Sequence, residues 1–167
     1  FKKKDKDIYL FYMKKKKFIN FAIIGCGRIF KKHINFFENS KINTVNLVAI
    51  CDVDKAKLES INSKLNITKF DDIDKMFLNT KIDVVIILTP SGTHYQIYKK
   101  ISKYLVHAII EKPIALKSIH AKKMFNLSKK INKYLFVVKQ NRYNLPVVHL
   151  KNAIIKNRFG KLILGTT

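Results

Sequence analysis

Cysteine, arginine and acidic residues are scarce in this 167-residue sequence, and no apolar run reaches membrane-spanning length. Each shortage excludes something. The two cysteines, Cys26 and Cys51, lie at the ends of apolar runs without framework spacing, so a disulfide scaffold is excluded and a reducing, cytoplasmic compartment is expected. No membrane-crossing helix is predicted, and there are neither internal repeats nor low-complexity linkers. Eleven acids against 34 bases leave a formal charge of +23, which by itself points to an anionic partner. Only Arg28, Arg142 and Arg158 among those bases are arginine, the residue that bidentate phosphate and base recognition favours. The rest are lysines, accompanied by many Ile, Asn and Phe, a set with A/T-rich codons that accumulates on solvated faces without selection for a ligand. Specific nucleic-acid binding is therefore not expected, whereas non-specific adhesion at low salt is. No metal-ligand set is assigned.

What is present is a core. Hydrophobic residues make up 47% of a chain long enough for one well-packed domain and too short for two large ones. Phe1 to Tyr12 carry mixed charge without periodicity and are expected to be a tail, with Met13 a natural start. Lys14 to Lys17, followed by Phe18 to Ile24 and Gly25-Cys26, has the outline of a lipoprotein signal. Asn20 interrupts that run, however, and the pattern continues unbroken beyond the cysteine, so the segment reads as a strand.

The chain is organised around Phe18 to Asp52. An apolar run, Phe18 to Ile24, leads into Gly25-Cys26-Gly27, a helical pattern, a second apolar run from Leu47 to Cys51, and Asp52. In a βαβ unit the first glycine permits a tight turn and the second lets backbone approach a pyrophosphate resting on the helix N-terminus. An acid about twenty-five residues on can accept from adenosine ribose hydroxyls. The third small residue of this fingerprint is missing, because position 30 is Phe30, which either holds the helix off the strand or turns outward.

Ile29, His33, Phe36 and Phe37 mark one buried helical face, with His33 a packed or half-exposed histidine. Asp54 is placed to cap a helix from Lys55 to about Lys64, Ile67 to Phe70 is a third strand, and Asp71 or Asp72 can cap a helix carrying Met76 and Phe77. Val84 to Leu88 reads as a central parallel strand covered on both faces. The loop after it, Thr89-Pro90-Ser91-Gly92, falls on the edge of a parallel sheet where ligands bind. Ser91 or Thr93 can cap the next helix, whose predicted buried face is Ile97, Ile101, Tyr104 and Leu105, with His94 in its first turn facing the ligand edge. Val106 to Ile110 is a fifth strand ending in Glu111-Lys112-Pro113, and a lysine there can stabilise an oxyanion developing on a hydroxyl under oxidation or relay its proton. Ala121, Met124, Phe125, Ser128 and Ile131 mark a further helix, Tyr134 to Val138 a sixth strand, Val147 to Lys156 a helix, and Lys161 to Thr167 the start of another strand.

Gly25-Cys26-Gly27, Cys51-Asp52, Thr89-Pro90-Ser91 with His94, and Glu111-Lys112-Pro113, in this order and at these intervals, resemble the N-terminal half of the Gfo/Idh/MocA sugar oxidoreductases over roughly Phe18 to Thr167. The resemblance implies an α/β fold: a Rossmann-type doubly wound parallel sheet over 13–139, then the truncated start of an α+β substrate domain over 140–167. It also implies NAD as cofactor. Gly25, Gly27, Arg28 and Ile29 would hold the pyrophosphate, Asp52 the adenosine ribose, and Thr89, Pro90 and His94 the nicotinamide end. Glu111 would touch the nicotinamide ribose, Lys112 would be the catalytic lysine beside the sugar hydroxyl, and Asn141 and Arg142 would border sugar and nicotinamide. Lys139 to Asn144, Pro146 and Arg158-Phe159-Gly160-Lys161 resemble the branch that oxidises C3 of UDP-2-acetamido-2-deoxyglucuronate in surface-polysaccharide synthesis. A UDP-sugar partner and a homo-oligomeric full-length form are the corresponding expectations. The alternatives are another sugar or inositol dehydrogenase of the family and a non-catalytic dinucleotide-binding module. The family places an acid and a histidine in a second domain that this sequence does not include.

Overall fold

The computed structural model describes residues 18–163, which fall into two compact units, the first ending at Val137 and the second beginning at Val138. The tail expected over Phe1 to Tyr12 lies outside the described residues.

In the first unit six strands form one parallel sheet: β1 (Ile19–Ile24), β2 (Val45–Cys51), β3 (Thr68–Phe70), β4 (Val84–Ile87), β5 (His107–Ile110) and β6 (Leu135–Val137). Their order is β3-β2-β1-β4-β5-β6. Helices α1 (Phe30–Asn39), α2 (Lys55–Ser60), α3 (Ile73–Asn79), α4 (His94–Ile101) and α5 (Ser118–Lys130) alternate with them. Because successive strand residues point to opposite faces, β1 splits its side chains between two cores. Ala22 and Ile24 join Val85, Ile87, Ala108 and Ile110 against Met76, Tyr98, Ile101 and Met124 of α3, α4 and α5. Ile23 joins Ile50 and Ile86 against Phe30 and Ile34 of α1 and Leu58 of α2. A sheet covered on both faces is what the continuous apolar runs predict.

This is the doubly wound Rossmann arrangement, with the strand order reversing between β1 and β4. The carboxyl ends of those two strands meet where Leu88 donates to the Ile24 carbonyl (2.8 Å).

Local details correct several expectations. Of the two alternatives for Phe30, the outward turn is ruled out: it is 5% exposed and packs in the α1 core. The deepest residues of α1 are Phe30 and Ile34; of the face expected, Ile29 and Phe37 are half-buried against the same core, His33 is half-buried and Phe36 is exposed. Helix α2 stops at Ser60 instead of about Lys64, although Asp54 caps it as expected by accepting from the Lys57 amide (3.3 Å). Asp72, of the two candidates, caps α3 by accepting from Lys75 N (2.9 Å). Helix α4 ends at Ile101 in a 3-10 turn, Ser102–Tyr104, and Leu105 follows at φ 53°, exposed at a left-handed C-cap. Of the predicted face, Ile101 is fully buried and Ile97 and Tyr104 pack half-buried against the core, whereas Leu105 is exposed and His94 and Tyr98, not predicted, are buried. Neither Ser91 nor Thr93 caps α4 with its side chain; a 3-10 turn, Ser91–Thr93, leads into it.

The second unit holds a 3-10 turn, Gln140–Tyr143, and helix α6 (Leu145–Ile155), entered through Pro146. The strand expected from Lys161 is not formed by Lys161 to Ile163, and its remainder lies outside the described residues.

Candidate functional site

At the carboxyl end of β1 the chain turns through Gly25 at φ 99°. A Cβ there would sit 2.8 Å from the Thr89 amide nitrogen and 2.9 Å from the Leu88 carbonyl carbon, so only glycine lets the β1 and β4 exits approach this closely. A Cβ on Gly27, by contrast, would meet nothing within 4 Å, which leaves open space over the turn. Among the described residues the amides of Gly27, Arg28 and Ile29 donate to no protein acceptor, and α1 begins with neither a side-chain cap nor an acid in its first turn. Unpaired donors at the positive end of a helix, beside open space, are suited to an anion such as a pyrophosphate.

Asp52, at the exit of β2, faces the same turn. Its Oδ2 accepts from Cys26 N (2.7 Å) and its Oδ1 from Asp54 N (2.9 Å). These amides fix the carboxylate, and each oxygen keeps a lone pair for a hydroxyl. Beneath it, burial and then the Asp52 charge push the Cys26 thiol up to about 12, and burial, followed by Asp72, does the same to Cys51. Both cysteines are free, buried and protonated at neutral pH, so neither is a reactive thiol.

On the other side of the switch point, Thr93 Oγ1 donates within hydrogen-bond reach of Thr89 Oγ1 and the Pro90 carbonyl (2.8 Å each). His94 is 1% exposed, and its Nε2 and Nδ1 lie 2.8 Å from the Thr89 carbonyl and 3.0 Å from that of Pro113. The ring thus pins the loop after β4 to the loop after β5. Both nitrogens face backbone carbonyls, and the neutral ring donates its one N–H to one of them, so its bearing on any ligand is through the loops it lies between.

Glu111 and Lys112 follow β5 on this edge, and the Lys112–Pro113 peptide is cis. Glu111 Oε2 accepts from the Lys112 amide (3.1 Å), while its Oε1 lies 3.2 Å from His33 Nε2 on α1. The Lys112 side chain is exposed and, among the described residues, within ion-pair distance of no carboxylate. Of the residues singled out in the sequence, Gly25, Gly27, Arg28, Ile29, Asp52, Thr89, Pro90, Glu111 and Lys112 lie on the loops at the carboxyl edge of one sheet, and His94 opens the helix that follows one of them. Asn141 and Arg142 lie on the 3-10 turn of the second unit. The His33–Glu111 contact was not anticipated. It joins residues 78 apart, and the helical periodicity around His33 signals burial only.

Residues 19–139 match the description "Oxidoreductase family, NAD-binding Rossmann fold". The chain belongs to the Gfo/Idh/MocA oxidoreductase family. This Gfo/Idh/MocA chain is 32% identical, with a TM-score of 0.80, to the WlbA dehydrogenase from Bordetella pertussis, whose crystal structure holds NADH and UDP-GlcNAcA; the match covers 86% of this chain and 44% of that one. It is 28% identical over 147 residues to the D-glucoside 3-dehydrogenase of Escherichia coli K12, covering 87% of this chain and 41% of the relative. It is 29% identical over 142 residues to the myo-inositol 2-dehydrogenase of Thermotoga maritima, covering 84% and 42%. The chain therefore spans about two fifths of the length of these relatives. Among the described residues, no helix is long and apolar enough to cross a membrane, and no group of three His, Cys, Asp or Glu side chains could hold a metal ion.

Proposed function

We propose that this chain forms the dinucleotide half of an NAD-dependent dehydrogenase acting on a sugar hydroxyl, with C3 of UDP-2-acetamido-2-deoxyglucuronate the favoured substrate position. The observation that carries the dinucleotide reading is the set of unpaired amides at Gly27, Arg28 and Ile29, facing open space beside a fixed Asp52 carboxylate. When bound, NAD would accept the hydride removed from the sugar carbon. The chain's own residues do the rest. The glycine turn and α1 N-terminus hold the pyrophosphate, Asp52 accepts from the adenosine ribose, and Thr89, Pro90 and Glu111 line the nicotinamide end. His94 keeps those loops in register. The Lys112 ammonium, paired with no carboxylate among the described residues, is available to stabilise charge on the sugar oxygen or carry its proton. Asn141 and Arg142 are assigned to the border of sugar and nicotinamide on the family resemblance alone.

The preference for a UDP-linked sugar rests on the identity to the WlbA dehydrogenase. A second reading, oxidation of a glucoside or an inositol within the same reaction class, is favoured by the E. coli and T. maritima relatives. Calorimetric titration with NADH tests the dinucleotide half: saturable binding at one site per chain is expected, and its absence would overturn the reading. In a form completed to the relatives' length, NAD reduction measured with each of the three substrate classes identifies the sugar. There Lys112→Ala should lower kcat by more than about tenfold with little change in NAD affinity, since its amine acts where charge develops.

A further inference from the structure

We propose that His33 is a positioning residue for the nicotinamide end of the site, acting through Glu111; this rests on the dinucleotide reading above. A carboxylate only accepts, so His33 Nε2 carries the hydrogen and donates it to Glu111 Oε1 at 3.2 Å. The other oxygen, Oε2, is held at 3.1 Å by the Lys112 amide. With one bond on each oxygen the carboxylate has a set orientation and retains one lone pair per oxygen for a ribose diol. The pair is well sheltered, its side chains being 21% and 15% exposed, so the bond is stronger than a solvated contact.

The placement matters more than the bond itself. His33 lies one turn into α1, the helix whose N-terminal amides are assigned to the pyrophosphate, and Glu111 follows β5, beyond β4 from the glycine turn. The sheet and the core already hold α1 and β5 together, and the hydrogen bond adds a link from the helix that would bind the pyrophosphate to the carboxylate that would meet the ribose. Without it, Glu111 keeps only its neighbour's amide, and in a chain of formal charge +23 a loosened carboxylate has many ammonium groups to turn toward.

The test compares NADH with ADP, which carries the adenosine and diphosphate but not the nicotinamide ribose. Calorimetry on the wild-type chain, His33→Ala and His33→Gln should show NADH bound about tenfold more weakly by His33→Ala, as loss of one charge-assisted bond implies. Affinity for ADP should stay within about twofold, because the contacts at that end are untouched. His33→Gln can still donate an N–H toward Glu111 and should recover most of the loss. Equal weakening of NADH and ADP would mean that His33 merely supports the fold. An unchanged NADH affinity in His33→Ala, or a folded His33→Gln as weak as His33→Ala, would also overturn the proposal. If His33→Ala does not fold, His33→Leu, which fills the space without donating, takes its place and must show the same loss for NADH with ADP retained. Wild-type chain that binds neither ligand would remove the dinucleotide reading itself, an outcome distinct from all of these.

Discussion

Gly25 and Asp52 show how much of the site depends on single atoms. At Gly25 a methyl group would collide with the Thr89 and Leu88 backbone while the residue sits at φ 99°. Gly25→Ala is expected to cost at least about 2 kcal/mol from the backbone conformation alone, read as a lower midpoint in urea, and to abolish NADH binding. Asp52 makes a charge argument. A fixed carboxylate next to the adenosine ribose would oppose a 2′-phosphate, so NAD should bind at least about tenfold more tightly than NADP, with Asp52→Asn narrowing the gap. Parallel titrations decide it, and equal or tighter NADP binding would remove Asp52 from the ribose. Both residues were legible in the sequence because the Gly-x-Gly turn and the acid after β2 keep characteristic spacing. The Asp52 bonds to Cys26 and Asp54 amides were not, since they depend on the path the loop takes.

At the scale of elements, α1 and α4 are instructive because their periodicity found part of each buried face and missed the residues Phe30, Ile34, His94 and Tyr98. Phe30 occupies the place where the family fingerprint has a small residue, yet it fills the core against Ile23, Ile50 and Ile86. Phe30→Ala should therefore destabilise the first unit by about 3–5 kcal/mol in denaturant unfolding, whereas Phe36→Ala, at an exposed position, should be nearly neutral. Helix α3 and the end of α4 are joined at Asp74, which accepts from Tyr104 (2.5 Å) and pairs with Lys103 (2.9 Å) and Lys100 (3.1 Å). The Tyr104 hydroxyl first, then Lys103 and Lys100, hold the Asp74 carboxyl well below its ordinary 3.8. A depressed carboxylate contributes stability that is present above that ordinary value and lost as the pH falls through the folded one. Asp74→Asn should lower the melting temperature slightly at neutral pH, with the difference from wild type shrinking as the pH is taken from about 5 toward 2. A difference independent of pH would show that the network contributes nothing through its charge.

For the whole molecule the dominant property is charge. With 34 basic residues but only three arginines, retention on random DNA is expected at low ionic strength and should vanish by about 0.2 M salt, without preference for sequence. Sequence-dependent affinity that survives physiological salt would contradict this and reopen nucleic acid as a partner.

Alternating apolar runs, a Gly-x-Gly turn, an acid after β2 and Glu111-Lys112-Pro113 after β5 were enough, as sequence, to specify a doubly wound α/β sheet with its loops at one edge. Strand periodicity and turn chemistry are local, so spacing along the chain carries them. Only the tertiary structure decided that Phe30 turns inward, that His94 is buried between two loops, and that His33 reaches Glu111. Those outcomes depend on which side chains fill the space between a helix and a sheet and on contacts between residues far apart in the chain, which packing settles and periodicity does not.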